Sequence, residues 1–208
     1  MVSFCLFLAV KATQEFVEKV HPIKIYEKAN CRCVEKIAYP SDSKLRLGMY
    51  QPTFYEPMIA LDRTNNELEF VFPKIEARIY RYDLEQRQTK ASVSLDLGKI
   101  DFPEPVDWEG KSLLKSRFQS DHSKAWFSNI FNYEGNTLVS FKKSKQSSDD
   151  RLHHKVFDNN GLEVGVFSIS ESSEIDYLLA HRSANTFFAL PDMDRFAAEP
   201  KGFPISVV

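Results

Sequence analysis

Two pairs of residues have the types and spacing that acid–base chemistry uses. Asp121 and His122 are adjacent and lie shortly before Trp126, and Asp192 and Asp194 are separated by one residue. A positioned carboxylate or imidazole can take up or release a proton during a reaction, and an acid–base pair beside an aromatic ring also suits sugar binding. Solvated loop residues of these types are common, and no further acid or base is identifiable beside Asp192 and Asp194. We therefore nominate no catalytic residue.

A second group combines histidines with nearby carboxylates. His153 and His154 follow Asp149 and Asp150, and both residue types ligate metals. Neighbouring residues of a strand point to opposite faces of the sheet, so the two histidines would not bind one metal together. The pattern indicates the polar rim of a hairpin, and we predict no metal site.

The chain has three cysteines, Cys5, Cys31 and Cys33, and an odd number cannot form a complete disulfide framework. On a strand, Cys31 and Cys33 would point to the same face. A metal site would need further ligands at suitable spacing, and none is nearby. The sequence therefore predicts two buried, small, apolar side chains.

Recognisable catalytic motifs are absent from the sequence. The chain has no G-x-S-x-G elbow, P-loop, Rossmann glycine pattern, H-E-x-x-H helix or EF-hand loop, and we predict no cofactor. Trp108 and Trp126 could form a stacking platform for a carbohydrate, but a buried tryptophan that anchors an insert is the usual outcome. The binding residues therefore remain unassigned.

Length and composition indicate one folded domain spanning residues 1–208. The formal net charge is −2, with 27 basic and 29 acidic residues, which argues against the clustered positive charge of a nucleic-acid-binding protein. Hydrophobic residues make up 43% of the chain, which is ordinary globular usage. No apolar run approaches the roughly 20 residues of a membrane-spanning helix, so we predict no transmembrane segment.

The first residues are apolar and allow two interpretations. Residues 2–10 end at Lys11, but no positive charge precedes the apolar run as it would in a secretory signal. We favour a buried strand over residues 4–10, and export stays open.

The elements that must position these residues are strands. Aromatic residues make up 13% of the chain, with 17 Phe and 8 Tyr, and they fall in short runs that suit a pleated, half-buried surface. Asn160-Gly161 gives the best single hairpin signal, and residues 108–118 predict one short helix. The predicted strands are residues 23–26, 33–39, 45–50, 58–61, 68–72, 77–82, 91–97, 126–133, 137–141, 154–157, 162–169, 178–182 and 186–190.

One recurring unit suggests how these strands are arranged. Ile25-Tyr26, Ile79-Tyr80 and Val156-Phe157 each put an aliphatic–aromatic pair on a strand before an acidic or amide-rich turn. Many short strands with regular turns indicate a sandwich, a barrel or a propeller.

Several segments resemble the six-bladed β-propeller proteins of the NHL-like, unknown-function kind, which are common in gut-dwelling bacteria. They are residues 55–58 (YEPM), 68–72 (LEFVF), 79–83 (IYRYD), 94–103 (SLDLGKIDFP) and 156–161 (VFDNNG). The resemblance implies an all-β, β-propeller-like fold of about four to five blade-like, four-stranded antiparallel sheets with one short helical insert, because a blade takes ~40 residues. It also implies an exported or cell-envelope protein, although no convincing signal peptide is present.

Three functions follow as hypotheses. The first is a non-enzymatic binding or scaffold module for a protein or glycan, by analogy of fold. The second is a carbohydrate-active or other hydrolytic enzyme that uses carboxylates at the propeller channel. The third is a structural subunit that completes a larger assembly, since an incomplete ring leaves open sheet edges that invite association. Convergence of Asp121, His122, Asp192 and Asp194 would favour the enzyme.

Overall fold

The described strands form antiparallel sheets in which neighbours, with one exception in the second sheet, follow the order of the sequence. The computed structural model describes residues 2–4, 13–109, 124–143, 152–168, 175–183, 186–191 and 206–207. Within these ranges, the sheets contain three, five, four and three strands in chain order. The prediction of an all-β chain is confirmed.

The first sheet is joined to a short helix that the sequence did not predict. The helix α1 (Gln14–Lys19) begins where the Thr13 hydroxyl accepts a hydrogen bond from the Phe16 amide at 3.1 Å, which is a standard N-cap. Six residues are too few for a helical period to stand out in the sequence. The strands of this sheet are β1 (Val2–Phe4), β2 (Ile23–Tyr26) and β3 (Cys33–Ile37).

The second sheet has four strands in meander order and a fifth that extends its outer edge. That fifth strand, β8, pairs with the start of β6, whereas β7 pairs with the end of β6. Between them, the Lys90 amide donates to the Arg81 carbonyl at 2.9 Å. The strands are β4 (Met58–Asp62), β5 (Glu67–Val71), β6 (Arg78–Asp83), β7 (Gln88–Thr89) and β8 (Val93–Ser94).

The third and fourth sheets are further antiparallel meanders. The third has the order β12-β11-β10-β9 and the fourth the order β13-β14-β15. The strands of the third sheet are β9 (Trp126–Tyr133), β10 (Asn136–Lys142), β11 (Leu152–Phe157) and β12 (Glu163–Ser168). Those of the fourth are β13 (Ile175–Ser183), β14 (Thr186–Pro191) and β15 (Ser206–Val207).

The second sheet is covered on both faces, because side chains alternate along its strands. Phe70 and Tyr80 belong to one core cluster, which also contains Ile23 and Ile37 of the first sheet. Val71 and Ile79 belong to a second cluster on the opposite face, and several side chains of the third sheet complete it: Phe127, Ile130, Val139, Phe141 and Phe157. The first three sheets therefore pack in sequence along the chain, with aromatic residues between them.

The predicted strand over residues 45–50 is wrong. Lys44–Arg46 forms a 3₁₀ helix, and only Met49 makes an isolated bridge, with Val106. The buried Glu76 carboxylate accepts from the Ser43 hydroxyl at 3.0 Å and from the Lys44 amide at 2.9 Å. A distant side chain thus satisfies the Lys44 amide at this turn, and a periodicity of apolar residues does not reveal such a contact.

The predicted helical insert over residues 108–118 lies outside the described residues from residue 110 onward, and so does most of the strand predicted over residues 4–10.

The described sheets contain three to five strands where the sequence predicted a uniform four. No described sheet closes on itself. The single domain and the association through open edges remain predictions. None of the helices in the described ranges has the length and apolar character that a membrane crossing requires.

Candidate functional site

The acid–base residues singled out in the sequence lie outside the described residues. They are Asp121, His122, Asp149, Asp150, Asp192 and Asp194, and Cys5 lies outside them as well. Whether Asp121, His122, Asp192 and Asp194 converge is therefore untested, and the enzyme hypothesis that depends on them stays a hypothesis.

His153 and His154 occupy different environments on β11. His154 is fully buried, and its Nδ1 lies 2.8 Å from the Ser140 hydroxyl on the paired strand β10. Burial lowers the pKa of His154 to about 4, and the nearby His153 adds to this effect. His153 stacks on the Phe141 ring at 5.4 Å between ring centroids. Because the buried Ser140–His154 pair is out of reach of a substrate, it is a structural contact rather than a nucleophile with its base.

The two tryptophans are placed separately by their contacts. Trp108 packs, half-buried, against the first core cluster, as an anchoring residue would. Trp126 at the start of β9 has the ammonium groups of Lys74 and Lys142 at 5.4 and 5.9 Å from its ring centroid, within the range of cation–π attraction. A shared stacking platform, the less favoured of the two interpretations of the sequence, is not tested by these contacts.

The prediction of two buried cysteines is wrong. Cys31 is exposed and Cys33 is half-buried. Cys31 lies in the turn before β3, where its amide donates to the Glu27 carbonyl at 3.0 Å and its φ is +55°. The alternation of a strand therefore begins only at Cys33, and the two thiols do not share a face of it.

Four hairpin turns lie at the same end of the second and third sheets, because alternate turns of a meander fall on one side. We call this surface the turn face: residues 63–66, 84–87, 134–135 and 158–162. A Cβ atom built on Gly135 would lie 3.4 Å from Nδ2 of Asn65 and 3.5 Å from Nδ2 of Asn159. Three of these turns thus meet at one point between the two sheets.

An aspartate at the end of the preceding strand, or directly after it, holds each of three turns. Asp62 accepts from the Thr64 amide at 2.9 Å, Asp83 from the Gln86 amide at 2.7 Å, and Asp158 from the Leu162 amide at 2.8 Å. The hydrogen bond from the Gln86 amide is the largest cause that lowers the pKa of Asp83. The hydrogen bond from the Leu162 amide has the same effect on the pKa of Asp158. These Asx turns fix the turn face by local chemistry.

A buried carboxylate joins the two sheets beneath the turn face. Glu69 is fully buried, and its Oε1 accepts from Arg81 Nε at 3.0 Å. Its Oε2 accepts from Asn132 Nδ2 at 3.0 Å and from the Thr137 hydroxyl at 2.7 Å. Both residues belong to strands of the third sheet, β9 and β10. The carboxylate therefore accepts hydrogen bonds from donors of both sheets, as a buried charge requires.

Paired charges continue from this carboxylate toward the solvent. Arg81 Nη1 donates to the Asn159 carbonyl, and Lys90 pairs with Glu67 and with Asp83, the latter at 3.1 Å. The hydrogen bonds that the Lys90 ammonium donates to Glu67, first, and to Asp83 raise the pKa of Lys90. The face of β5 and β6 that contacts the third sheet is thus apolar at one end and charged at the other.

The charged end opens into a cleft of about 590 Å³, a size that is common for ligand sites. Residues 88–93 form one wall, and Asn65, Glu67, Arg81, Asn159 and Asn160 line the remainder. We call this feature the turn-face cleft. Its polar lining consists of side-chain amides, hydroxyl groups and paired charges.

The Arg81 side chain also contains one buried nitrogen without a partner among the described residues. This nitrogen is Nη2, and the side chain as a whole is only 8% exposed. A buried donor that has no acceptor costs free energy, because it has lost its hydrogen bonds to water. No group of three or more His, Cys, Asp or Glu side chains that could hold a metal occurs in the part of the chain that is described.

Sequence reasoning missed Glu69 and Arg81, although a signal was present. Each is a charged residue inside an otherwise apolar and aromatic strand, in the segments LEFV and IYRY. Charged residues are rarely buried unless they are paired, so two of opposite sign in neighbouring strands could have indicated a buried pair. Their partners in the third sheet could not have been found this way.

Neither the models of protein families nor the curated proteins give a match to this chain. We therefore argue its function from the described residues, and the resemblance to the NHL-like propellers stays a prediction.

Proposed function

We propose that the chain is a non-enzymatic binding module of β-propeller type whose ligand occupies the turn-face cleft. In this proposal each antiparallel meander is a blade. The packing of the second sheet against the first and the third, with aromatic residues on both sides, supports that arrangement. The NHL-like resemblance of residues 79–83 and 156–161 agrees with it, since these segments fall on the third strands of neighbouring sheets, β6 and β11.

The observation behind the proposal is the chemistry of the cleft wall. Hydrogen-bonding side chains line a volume of about 590 Å³, and the carboxylate among the described lining residues, that of Glu67, already has a cationic partner. Glu67 and Asp83 are paired with Lys90, and Glu69 with Arg81. A general base must lie within hydrogen-bond distance of the proton that it takes from its substrate. Paired carboxylates position donors and acceptors instead, which is what binding requires.

A variant that fills the cleft tests the proposal without removing any polar group. Ala91 is exposed and lines the cleft, so Ala91→Trp should occupy much of it. Ala29 is exposed in the turn between β2 and β3, and Ala29→Trp is the matched control. We expect an array of immobilised oligosaccharides and peptides to retain the native chain and the control. The affinity of Ala91→Trp for the same probe should be at least about tenfold lower.

Two outcomes would contradict this function. One is an array on which no probe retains the native chain, or on which Ala91→Trp binds as well as Ala29→Trp. The other is cleavage of a retained probe by the protein, detected by mass spectrometry. That result would favour the hydrolytic enzyme instead.

A further inference from the structure

The turn between β11 and β12 contains two groups that can react with each other. Of all the asparagines in the chain, Asn160 alone is followed by glycine. Glycine has no Cβ atom, so the backbone nitrogen of Gly161 can approach the side-chain carbonyl carbon of Asn160 without hindrance. Asn160 is also exposed to solvent, so water reaches its side-chain amide. These are the requirements of asparagine deamidation.

Asp158 holds both reacting groups in the folded turn. The Gly161 amide donates to the Asp158 carbonyl oxygen at 3.0 Å. The carboxylate oxygen Oδ1 accepts from the backbone amides of Asn160 and Leu162, each at 2.8 Å. While it donates to this carbonyl, the Gly161 nitrogen keeps its proton and does not turn toward Asn160. The reaction therefore requires the turn to open.

Packing against the second sheet also opposes this opening. Gly161 lies so close to β8 that a Cβ atom built on it would collide with Cγ1 of Val93. The neighbouring Asn159 carbonyl accepts a hydrogen bond from Arg81 Nη1. Opening of the turn thus breaks contacts to a second sheet as well as local hydrogen bonds. Local openings of this kind occur in native proteins without global unfolding.

We propose that Asn160 is a modification site, at which asparagine converts to aspartate and isoaspartate, and that Asp158 sets the rate by keeping the turn closed. The Gly161 amide loses its proton to hydroxide, and its nitrogen forms a bond to Asn160 Cγ. The Cγ–Nδ2 bond breaks as Nδ2 takes a proton from water and leaves as ammonia. Water then adds to one carbonyl carbon of the imide ring and opens it, so the net reaction consumes water and releases ammonia.

The conversion changes the turn-face cleft, because Asn160 lines it. The charged residues of the lining are two cations, Arg81 and Lys90, and one carboxylate, Glu67, with a formal sum of +1. A carboxylate at residue 160 brings this sum to zero. In aspartate the new oxygen takes the place of Nδ2, 3.4 Å from Asp158 Oδ2, where the two like charges repel each other. The modified turn should therefore be less stable.

The test follows residue 160 by peptide mapping and mass spectrometry after incubation of the native chain at neutral pH in water enriched in heavy oxygen. Opening of the imide ring inserts an oxygen atom from water, and fragmentation of the peptide assigns this label to residue 160 or 159. We expect label at residue 160 in the folded chain. In denaturant its uptake should be about tenfold to a thousandfold faster, because the rate follows the population of the open turn.

Three variants show whether Asp158 sets this rate. Asp158→Ala removes the side-chain acceptor of the turn, and Asp158→Asn keeps an acceptor oxygen. Asp107→Ala is the matched control, since it removes the acceptor of the Glu109 amide in another loop. We expect Asp158→Ala to accelerate uptake in the folded chain about threefold to tenfold, and the other two to stay within about twofold of the native rate. Circular dichroism checks that each variant folds.

In denaturant the native chain and the three variants should react at the same rate, because none of them contains the turn. The inference is wrong if residue 160 takes up no label in the folded chain, or if the folded and the denatured native chain react equally fast. Asp158→Ala at the native rate, or an acceleration that persists in denaturant, would contradict the role of Asp158. The measurement uses no ligand, so its result is independent of the proposed binding function.

Discussion

Ser140 and His154 face each other across β10 and β11, and the burial of His154 makes folding sensitive to pH. Burial lowers the pKa of His154 from 6.5 to about 4 in the folded chain. The unfolded chain therefore binds an additional proton between these two values, and stability must fall as the pH decreases through this window. Above about pH 6.5 the imidazole is neutral in both states and makes no such contribution.

The full effect is about 3 kcal/mol, since one pKa unit corresponds to about 1.4 kcal/mol. We expect the free energy of unfolding of the native chain, measured in urea, to decrease by up to this amount from pH 7 to pH 4. The variant His154→Gln retains a hydrogen-bonding group for Ser140 but does not titrate, so its decrease should be smaller. Parallel pH profiles for the two proteins would show that His154 is not the cause.

At the scale of the elements, a comparison of two glycines distinguishes the effect of backbone strain from the effect of close packing. Gly98 and Gly161 have φ values of +75° and +79°, a region that other residues adopt at a cost. A Cβ on Gly98 would meet nothing within 4 Å, whereas one on Gly161 would collide with Cγ1 of Val93. The turn between β11 and β12 can therefore lie against β8 only because residue 161 has no side chain.

We expect Gly98→Ala to lower the free energy of unfolding by about 1 kcal/mol, from strain alone. Gly161→Ala should lower it by a further 1–3 kcal/mol or so, because the stiff Val93 side chain must move. Chemical denaturation of both variants checks this difference. Equal losses would mean that the turn shifts away from Val93 without resistance.

At the scale of the whole molecule, Glu69 connects the second and third sheets through Arg81, Asn132 and Thr137. Removing one partner of a buried ion pair leaves the other charge unpaired, which costs about 3–5 kcal/mol. We expect Glu69→Met to lose this amount in urea unfolding. The double variant Glu69→Met/Arg81→Met should be more stable than Glu69→Met alone, because no uncompensated charge remains.

The control is Glu104→Met, at an exposed glutamate that lies 3.8 Å from Lys44. Surface pairs contribute little, so its stability should stay within about 0.5 kcal/mol of the native value. A double variant that is less stable than Glu69→Met by itself would contradict the role of the unpaired charge.

The strands and most turns could be predicted because their causes are local. Residues 23–26 and 126–133 form strands with the predicted bounds, and the hairpin at Asn160-Gly161 lies where the dipeptide indicated it. The predicted alternation of buried and exposed side chains also continues beyond the strand β8, since Leu95 and Leu97 are buried and Ser94 and Asp96 are exposed. By contrast, α1 is too short for its period to be visible, and Lys44–Arg46 depends on a carboxylate 32 residues away.

By itself, the sequence determined which segments are extended, where the chain turns, and which side chains alternate toward an apolar face, because each of these depends on neighbours a few residues apart. Only the tertiary structure decided that Glu69 meets Asn132, 63 residues away, and that Arg81 reaches Asn159, 78 residues away. The physical reason is that a buried charge is tolerated only where a second sheet supplies its hydrogen bonds. That second sheet also closes the turn-face cleft, a surface to which no single segment points.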